Sequence, residues 1–378
     1  MRIETLSKVK KIVIKVGTNV LTDKNGFLDK EIIGSIARQI IELRNKGYYV
    51  VLVSSGAIGA GLRVLGIKTR PKNLPKLQAA AAVGQCKLIS IYDDFFTKHK
   101  FNAAQLLLTR EDFEDRRRYL NASNTISALM KLNTIPIINE NDTISVDEIA
   151  FSDNDILSSL VTNLVHAELF IILSSVDGLY SNIKPNGKCS GLVSSVNGIT
   201  ADITKLACDF KTSGGVGGMQ SKLDAARTAT KAGEAVIIAN GRKDNVLVRI
   251  MNGEDIGTFF SPVKSDNRKM TCRRRWIRFS VKPTGKLFVD NGAEDALIKN
   301  GKSLLASGIV DIDGHFKNGD VISIIGKNKH LEVGRGLTNY SSDEINKVKG
   351  LKTTEIRKIL GYKTYDEVIH RDNLVIDN

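Results

Sequence analysis

Two patterns of hydrophobic and polar residues alternate along about the first 240 residues of the chain. Short β-branched runs predict buried strands, and apolar residues at helical spacing predict helices between them. The runs that predict strands are 11–17, 48–53, 134–142, 169–175 and 235–239. The stretches that predict helices are 29–46, 153–165 and 220–232, of which the first and last end at Gly47 and Gly233. This alternation indicates an α/β fold, with a mainly parallel sheet sandwiched by helices.

The pattern changes near Phe259. The basic stretch 264–279 has no apolar period, and it is followed by short strand-like pieces separated by Gly, Asn and Asp. Those pieces predict a small β-rich domain. The predicted boundaries are a catalytic domain at 1–262, a basic linker at 263–276, the β-rich domain at 277–360 and a C-terminal tail at 361–378.

The composition favours a globular cytoplasmic protein. Hydrophobic residues are 42% of the 378 and charged residues are 25%, which argues against wholesale disorder. No apolar run approaches the roughly 18 residues of a membrane helix, and the apolar run at the start is too short for a signal peptide. The four cysteines form no CxxC pair and only five histidines occur, so neither a zinc site nor a disulfide framework is expected.

The net charge of +14 predicts attraction to anions. Residues 1–262 carry 33 Lys and Arg against 26 Asp and Glu, whereas residues 263–378 carry 22 against 15. Each part therefore has a net charge of +7, although the second part is less than half as long. The densest stretch, Lys264 to Arg278, has seven basic residues and one Asp. A solvated linker is the ordinary interpretation of such a run, and RNA binding is the alternative.

Glycines follow the predicted strands of the first domain. They occur at Gly17, in the stretch 54–61 and in the stretch 214–218 before a helix. Open α/β sheets bind ligands at the carboxyl ends of their strands, and glycine lets backbone N–H groups approach an anion. Tight turns are the alternative for any single loop. Neither GxxxxGK[ST] nor GxGxxG is present, so a P-loop and a standard dinucleotide site are both excluded.

Two lysines and two acidic polar clusters are candidates for chemistry. Lys15 lies inside an apolar strand, and Lys222 lies in the first turn of a helix, where a cation opposes the helix dipole. A bound phosphate would explain Lys222, although a solvated lysine is the alternative. The clusters 139–142 and 152–155 follow a strand and open a helix. Helix capping explains any one of their residues, but together they could hold an amine-bearing substrate or Mg²⁺ on a nucleotide.

These features, taken in order, resemble a known family. The segments KIVIKVGTNVL, VLVSSGAIGAG, IPIINENDTIS, FSDND, LSSVDGLY and GGVGGMQSK are similar to those of the amino acid kinase superfamily. The resemblance runs from about Lys11 to Gly241 and is strongest to the branch that phosphorylates glutamate in proline biosynthesis. The segments GKLFVDNGAEDAL, GIVDIDGHFKNGD and EVGRGLTNYSSDEI resemble a PUA domain, a type that often binds RNA.

The resemblance implies ATP-dependent phosphorylation of the γ-carboxylate of L-glutamate, with Mg²⁺. It implies that Lys15 and Lys222 contact the phosphates and that Asp155 orients them. It places Ser55, Asp142 and Asn154 around glutamate. The residues implied to line the nucleotide site are Ser174, Ser175, Val216, Gly217, Gly218, Met219, Gln220, Ser221 and Lys222, in addition to Lys15. It also implies a homo-oligomer, inhibition by proline, and glutamyl phosphate reductase as a partner.

The chain departs from the family pattern at two points. Ser174-Ser175 stands where Thr-Asp is frequent, and Val216 stands where Thr is common. Since the γ-carboxylate of glutamate is already ionised at neutral pH, the reaction needs no general base, in keeping with the absence of histidine from the six kinase-like segments quoted above. Two alternatives stay open at this point: a kinase of another small carboxylate or carbamate, and an RNA-binding or RNA-modifying protein.

Overall fold

A computed structural model describes residues 2–144, 154–183, 189–208, 218–263, 270–326 and 331–376. The chain divides into two compact units, Met1–Arg268 and Lys269–Asn378. The division falls within the stretch 263–276 that the sequence predicts to be a linker.

The first unit is built on an eight-stranded sheet. The strands of this unit in the described part of the chain are β1 (Lys11–Val16), β2 (Tyr49–Ser54), β3 (Asn102–Leu108), β4 (Thr134–Glu140), β5 (Leu169–Ser174), β6 (Tyr180–Ile183), β7 (Cys189–Leu192), β8 (Ser195–Val196), β9 (Ala235–Asn240) and β10 (Thr258–Phe260). The large sheet has the order β3-β4-β2-β1-β5-β9-β10-β8, while β6 and β7 form a separate antiparallel pair. Every pair in the large sheet is parallel except β9 with β10.

Eleven helices of the first unit lie within the described residues. They are α1 (Arg2–Leu6), α2 (Thr18–Leu21), α3 (Lys30–Asn45), α4 (Ala57–Val64), α5 (Leu74–Thr97), α6 (Arg110–Glu114), α7 (Arg116–Lys131), α8 (Asn154–Val165), α9 (Ala201–Cys208), α10 (Met219–Lys231) and α11 (Val246–Met251). Both ends of α3 show how the sequence sets these bounds. Asp29 caps N–H groups of the first turn, and Gly47 turns the chain after the last turn with a φ of 89°.

The central strands are buried on both faces. Each residue of β5 is buried, and Ile12, Val13 and Ile14 of β1 have no exposed surface. Strands covered on both faces read as continuous apolar runs, which is why the sequence pattern could identify them. The expected α/β class, with a mainly parallel sheet between helices, is confirmed.

The glycine-rich stretch 54–61 differs from the loop that the sequence predicts. Only Gly56 has a left-handed conformation, with a φ of 100°, and the helix α4 begins at the next residue. Gly61 serves packing between α4 and α5: a Cβ there would lie 1.7 Å from the carbonyl oxygen of Ala80. Gly84 meets the carbonyl oxygen of Ala57 in the same way, at 1.8 Å. The two helices therefore touch backbone to backbone.

The second unit is a small sheet with short helices, as the β-rich prediction requires. Its strands are β11 (Gly285–Val289), β12 (Ile309–Asp313), β13 (Val321–Gly326), β14 (Glu332–Leu337) and β15 (Leu374–Ile376), in the order β12-β11-β13-β14-β15. Its helices are α12 (Cys272–Arg275), α13 (Asn291–Ile298), α14 (Ser342–Val348) and α15 (Ile356–Leu360).

Two segments that the sequence places outside the β-rich domain contribute to the second unit. The end of the predicted linker forms α12, and Arg275 and the residue after the helix, Trp276, are both buried. The predicted tail contains β15, which pairs with β14. A basic run and a three-residue strand carry too weak an apolar period to be recognised in sequence.

Among the described helices of the whole chain, none is both long and apolar enough to cross a membrane.

Candidate active site

A cavity of about 520 Å³ opens at the carboxyl ends of the central strands. Gly17 follows β1, Ser55 follows β2, Asp142 lies beyond β4 and Ser174 ends β5, and all four residues line this cavity. The helix α8 contributes Asn154 to the same cavity. Parallel strands present their carboxyl ends on one edge of a sheet, so loops distant in sequence meet there.

Three charged residues, Lys15, Asp155 and Lys222, form what we call the charged cluster. The ammonium of Lys15 is ion-paired with Oδ1 of Asp155, and the Nζ of Lys222 lies 3.0 Å from its Oδ2. All three residues are buried, Asp155 completely. Ser221 Oγ also donates a hydrogen bond of 3.0 Å to Oδ2 of Asp155. The fold therefore brings Lys15, Asp155 and Lys222, the three residues predicted from the sequence to act on the phosphates, into direct contact.

Opposing effects act on the carboxyl group of Asp155. Burial alone would raise its pKa, but the charges and hydrogen bonds of Lys15 and Lys222 outweigh burial and hold the pKa well below its usual range. Asp155 is therefore ionised at neutral pH, and two cations around one anion leave the cluster with a net positive charge. A positive group buried beside a cavity favours an anionic ligand there.

The structure also changes the explanation of Lys222. The sequence suggests that a bound phosphate compensates a cation in the first turn of α10. In the fold, Lys222 is ion-paired with Asp155, and its Nζ also lies 3.5 Å from the carbonyl oxygen of Gly218. Lys222 is thus a buried, paired lysine that still lines the cavity.

A chain of three neutral amides, Gln85, Asn139 and Asn154, runs beside the charged cluster, and we call it the amide chain. Asn154 Nδ2 donates to Asn139 Oδ1 at 2.7 Å, and Asn139 Nδ2 donates to Gln85 Oε1 at 2.7 Å. Asn154 Nδ2 also lies 2.9 Å from Ser55 Oγ and 3.2 Å from the carbonyl oxygen of Ser54. Ser55 and Asn154, both predicted to bind substrate, are therefore in contact.

The predicted nucleotide-binding residues separate into three groups. Ser174, Ser175, Gly218 and Met219 line the cavity. Gln220 instead donates from its Nε2 to the carboxylate of Asp224, at 3.1 Å from each oxygen. Ser221 donates a hydrogen bond to Asp155. Val216 and Gly217 lie outside the described residues, so the effect of the Val216 departure stays a prediction.

The fold places further residues at the cavity. Asn139 and Glu140, which the sequence marks only as members of the cluster 139–142, line it as buried residues at the end of β4. Arg63, which no sequence pattern indicates, reaches it from α4. Gln85 lies on α5, in a region of the chain for which no pattern was interpreted. A glutamine within the small apolar run AAAAVGQCKLI was the available signal, because a buried polar side chain needs a partner.

Comparison with known proteins identifies both units. The amino acid kinase family matches residues 10–240, and the PUA domain matches residues 285–360. The glutamate 5-kinase of Thermoanaerobacter sp. (strain X514) is 50% identical over 366 residues, which are 97% of each chain. Those of Caldanaerobacter subterraneus subsp. tengcongensis and Geobacter sp. (strain M21) are 51% and 45% identical, over 97% and 100% of each chain.

The resemblance noted in the sequence is thereby confirmed over nearly the whole length. The family match covers β1, α8 and α10, which carry the charged cluster, and the PUA match covers most of the second unit. With full-length relatives at 45% identity or more, the chain belongs to the amino acid kinase family and, within it, to the glutamate 5-kinases that carry a C-terminal PUA domain.

Proposed function

We propose that the chain transfers the γ-phosphoryl group of ATP to the γ-carboxylate of L-glutamate. One carboxylate oxygen forms a bond to phosphorus, the bond from phosphorus to the β-phosphate oxygen breaks, and ADP leaves. The observation that carries this proposal is the charged cluster buried beside the amide chain at one cavity. Such an arrangement offers cations for phosphates next to polar groups for an amino acid.

The charged cluster serves the transferring phosphoryl group. The reaction brings two anions together, so positioning and electrostatic stabilisation are the main requirements. Lys15 and Lys222 act as point charges toward the phosphate oxygens. Asp155 contacts both ammonium groups and thereby fixes their positions. In this account Asp155 positions the lysines and does not exchange a proton, because its pKa is held low.

The substrate ammonium lies on the other side of the cavity. Asp142 is a buried carboxylate that lines the cavity, which suits an ammonium. Asn154 offers its Oδ1, a buried carbonyl oxygen that accepts no hydrogen bond from the described residues. Ser55, which accepts from Asn154 Nδ2, completes the glutamate site.

ATP lies along Ser174, Ser175, Gly218 and Met219, with its phosphates toward Lys15 and Lys222. We propose that Mg²⁺ enters with ATP. The described residues contain no group of three or more His, Cys, Asp or Glu that could hold a metal, and Asp155 is occupied by two lysines. Mg²⁺ is commonly bound by nucleotide phosphates, water and at most one or two carboxylates.

The test is turnover by the purified full-length chain. ADP release should require glutamate, and hydroxylamine should trap the acyl phosphate product as a hydroxamate. Lys222→Ala should abolish most turnover, while Lys30→Ala, which removes an exposed lysine at the start of α3, should not. Aspartate and carbamate serve as alternative acceptors in the same assay. Turnover that prefers either of them over glutamate would contradict the proposed substrate.

Further partners follow from the product and from the second unit. An acyl phosphate is hydrolysed readily in water, so we propose that glutamyl phosphate reductase accepts it from this chain. A homo-oligomer, a cytoplasmic location and inhibition by proline belong to the same proposal. The PUA match suggests RNA as a ligand of the second unit. Retention of RNA by residues 263–378 that weakens steeply with salt would support this last point.

A further inference from the structure

The amide chain ends on a residue that does not line the cavity. Gln85 is 6% exposed and sits behind Asn139, which does line it. Only Asn139 and Asn154 of the three amides reach the cavity in the described part of the chain. Gln85 can therefore act on a substrate only through its neighbours.

A backbone carbonyl determines which way every amide in the chain points. The oxygen of Ser54 can only accept a hydrogen bond, so the Asn154 atom that lies 3.2 Å from it must be the donor Nδ2. The same Nδ2 faces Asn139 at 2.7 Å, which requires the acceptor Oδ1 of Asn139 at that contact. Asn139 must then point its Nδ2 toward Gln85, and Oε1 of Gln85 must accept that hydrogen bond.

This sequence of constraints has a consequence at each end. Asn154 lines the cavity, and its buried Oδ1 accepts no hydrogen bond from the described residues. At the buried end, Gln85 places its Nε2 where no described residue accepts from it. A buried polar group without a partner carries a free-energy cost. The fold tolerates that cost while Gln85 supplies an acceptor to Asn139.

The packing of α4 on α5 holds Gln85 in place. Its neighbour Gly84 packs against the carbonyl oxygen of Ala57, where any larger residue would force the helices apart. This contact fixes the position of Gln85 along the axis of α5, relative to the start of α4 and to the nearby Ser55. The acceptor of the amide chain is thus held by rigid helices.

We propose that Gln85 is a positioning residue for substrate selection. Its Oε1 holds Asn139, and Asn139 in turn holds Nδ2 of Asn154, which leaves Oδ1 of Asn154 as the atom that accepts a hydrogen bond from the substrate ammonium. The inference rests on the proposed function, since it assigns a substrate contact within that site. It predicts that the identity of residue 85 affects the recognition of the amino group more than it affects ATP or the γ-carboxylate.

The first variant is Gln85→Met, which keeps the approximate volume and removes the acceptor. It should raise the KM for glutamate about tenfold, as expected for a weakened hydrogen bond to a charged group. The KM for ATP should change less than about twofold. Gln85→Glu retains an acceptor oxygen, so it should bring the KM for glutamate back to within about threefold of the starting value.

Gln39→Met is the matched control. Gln39 is a second buried glutamine of the same unit, which accepts from the N–H of Leu247 at 2.8 Å and does not line the cavity. Its replacement costs a comparable buried hydrogen bond without touching the amide chain. The KM for glutamate should therefore stay near the starting value in Gln39→Met, even if both variants melt earlier.

Glutarate gives the readout that a merely structural role would not move. Glutarate has the two carboxylates and the five-carbon chain of glutamate, but it lacks the ammonium. Its inhibition constant as a competitor of glutamate should therefore change less than about twofold in Gln85→Met. Equal losses for glutamate and glutarate, a Gln39→Met variant that matches Gln85→Met, or no rescue by Gln85→Glu would each overturn the inference. If the unmodified chain fails to phosphorylate glutamate, the proposed function itself fails, which is a different result.

Discussion

Asn154 and Asp155 are neighbours in the first turn of α8, yet they join two clusters of opposite character. Asp155 belongs to the charged cluster, where two buried ammonium groups surround one carboxylate. Asn154 belongs to the amide chain, where no member carries a charge. The first turn of α8 thus places one residue in a cluster of charges and its neighbour in a chain of neutral amides.

The comparison shows two ways to stabilise polar groups in an interior. A buried charge needs a countercharge, and removing one partner leaves the other uncompensated, at a cost of about 3–5 kcal/mol. A buried amide needs only a hydrogen-bonding partner, and losing one costs about 1–3 kcal/mol. Damage to the charged cluster should therefore reach the fold as well as catalysis, whereas damage to the amide side should mainly affect substrate binding.

The largest effect should come from Asp155→Asn. This change leaves Lys15 and Lys222 buried without their shared anion, so we expect the free energy of unfolding of the first unit to fall by about 3–5 kcal/mol. Denaturant unfolding followed by circular dichroism measures it. An unfolding midpoint equal to that of the unmodified chain would show that the cluster is not a stabilising unit.

The same carboxylate predicts a pH dependence. The pKa of Asp155 is lower in the folded chain than the usual value near 3.9 of an unfolded chain. Its contribution to stability is therefore complete above about pH 4 and decreases as the pH falls toward the folded pKa. Between about pH 4 and pH 2, the unmodified chain should lose stability more steeply than Asp155→Asn. Parallel unfolding curves for the two would contradict this.

Lys222→Ala tests the catalytic side of the charged cluster. Since the ammonium acts on charge that develops during phosphoryl transfer, kcat should fall about 100-fold, equivalent to about 3 kcal/mol, with little change in the KM for glutamate. Asp155 keeps Lys15 as a partner in this variant, so the chain should still fold. Near-normal kcat in the folded variant would remove Lys222 from the reacting centre.

Asp142→Asn tests the opposite side of the cavity. Loss of a charge-assisted contact with the substrate ammonium is worth about 1.5–3 kcal/mol, so the KM for glutamate should rise by roughly 10- to 100-fold. ATP binding, measured by calorimetry with a non-hydrolysable analogue, should stay close to unchanged. A collapse of ATP affinity with intact glutamate affinity would reverse the two halves of the site.

The smallest effect on turnover is expected from removal of the second unit. The chain should be cut after Val263, because Phe259 and Phe260 are buried in β10 and the N–H of Val263 donates to the carbonyl oxygen of Thr230 at 3.0 Å. The fragment 1–263 should fold and keep kcat within about threefold, since the charged cluster and the amide chain both lie inside it. A folded but inactive fragment would mean that the second unit completes the site.

The sequence contained the fold class and the charged residues, but it did not contain their distances. Lys15 was visible because a cation inside a β-branched run is unusual, and Lys222 because it opposes a helix dipole. Gln85 carries no signal of that kind, and Asn139 is marked only as one member of the polar cluster 139–142. The hydrogen-bonding partners of Asn139, which are Gln85 and Asn154, lie 54 and 15 residues away along the chain. The glycines of 54–61 were interpreted as an anion-binding loop, whereas Gly61 serves a helix contact that only the packed structure reveals.

The claim that the phosphoryl side and the ammonium side of the cavity serve two parts of one reaction is tested most directly by a double-mutant cycle. The measured quantity is kcat/KM for glutamate at saturating ATP, in the unmodified chain, Lys222→Ala, Asp142→Asn and the double variant. If the phosphoryl side and the ammonium side act independently, the two free-energy losses should add within about 0.5 kcal/mol. A coupling energy above about 1 kcal/mol, of either sign, would contradict the separation and indicate one interconnected site.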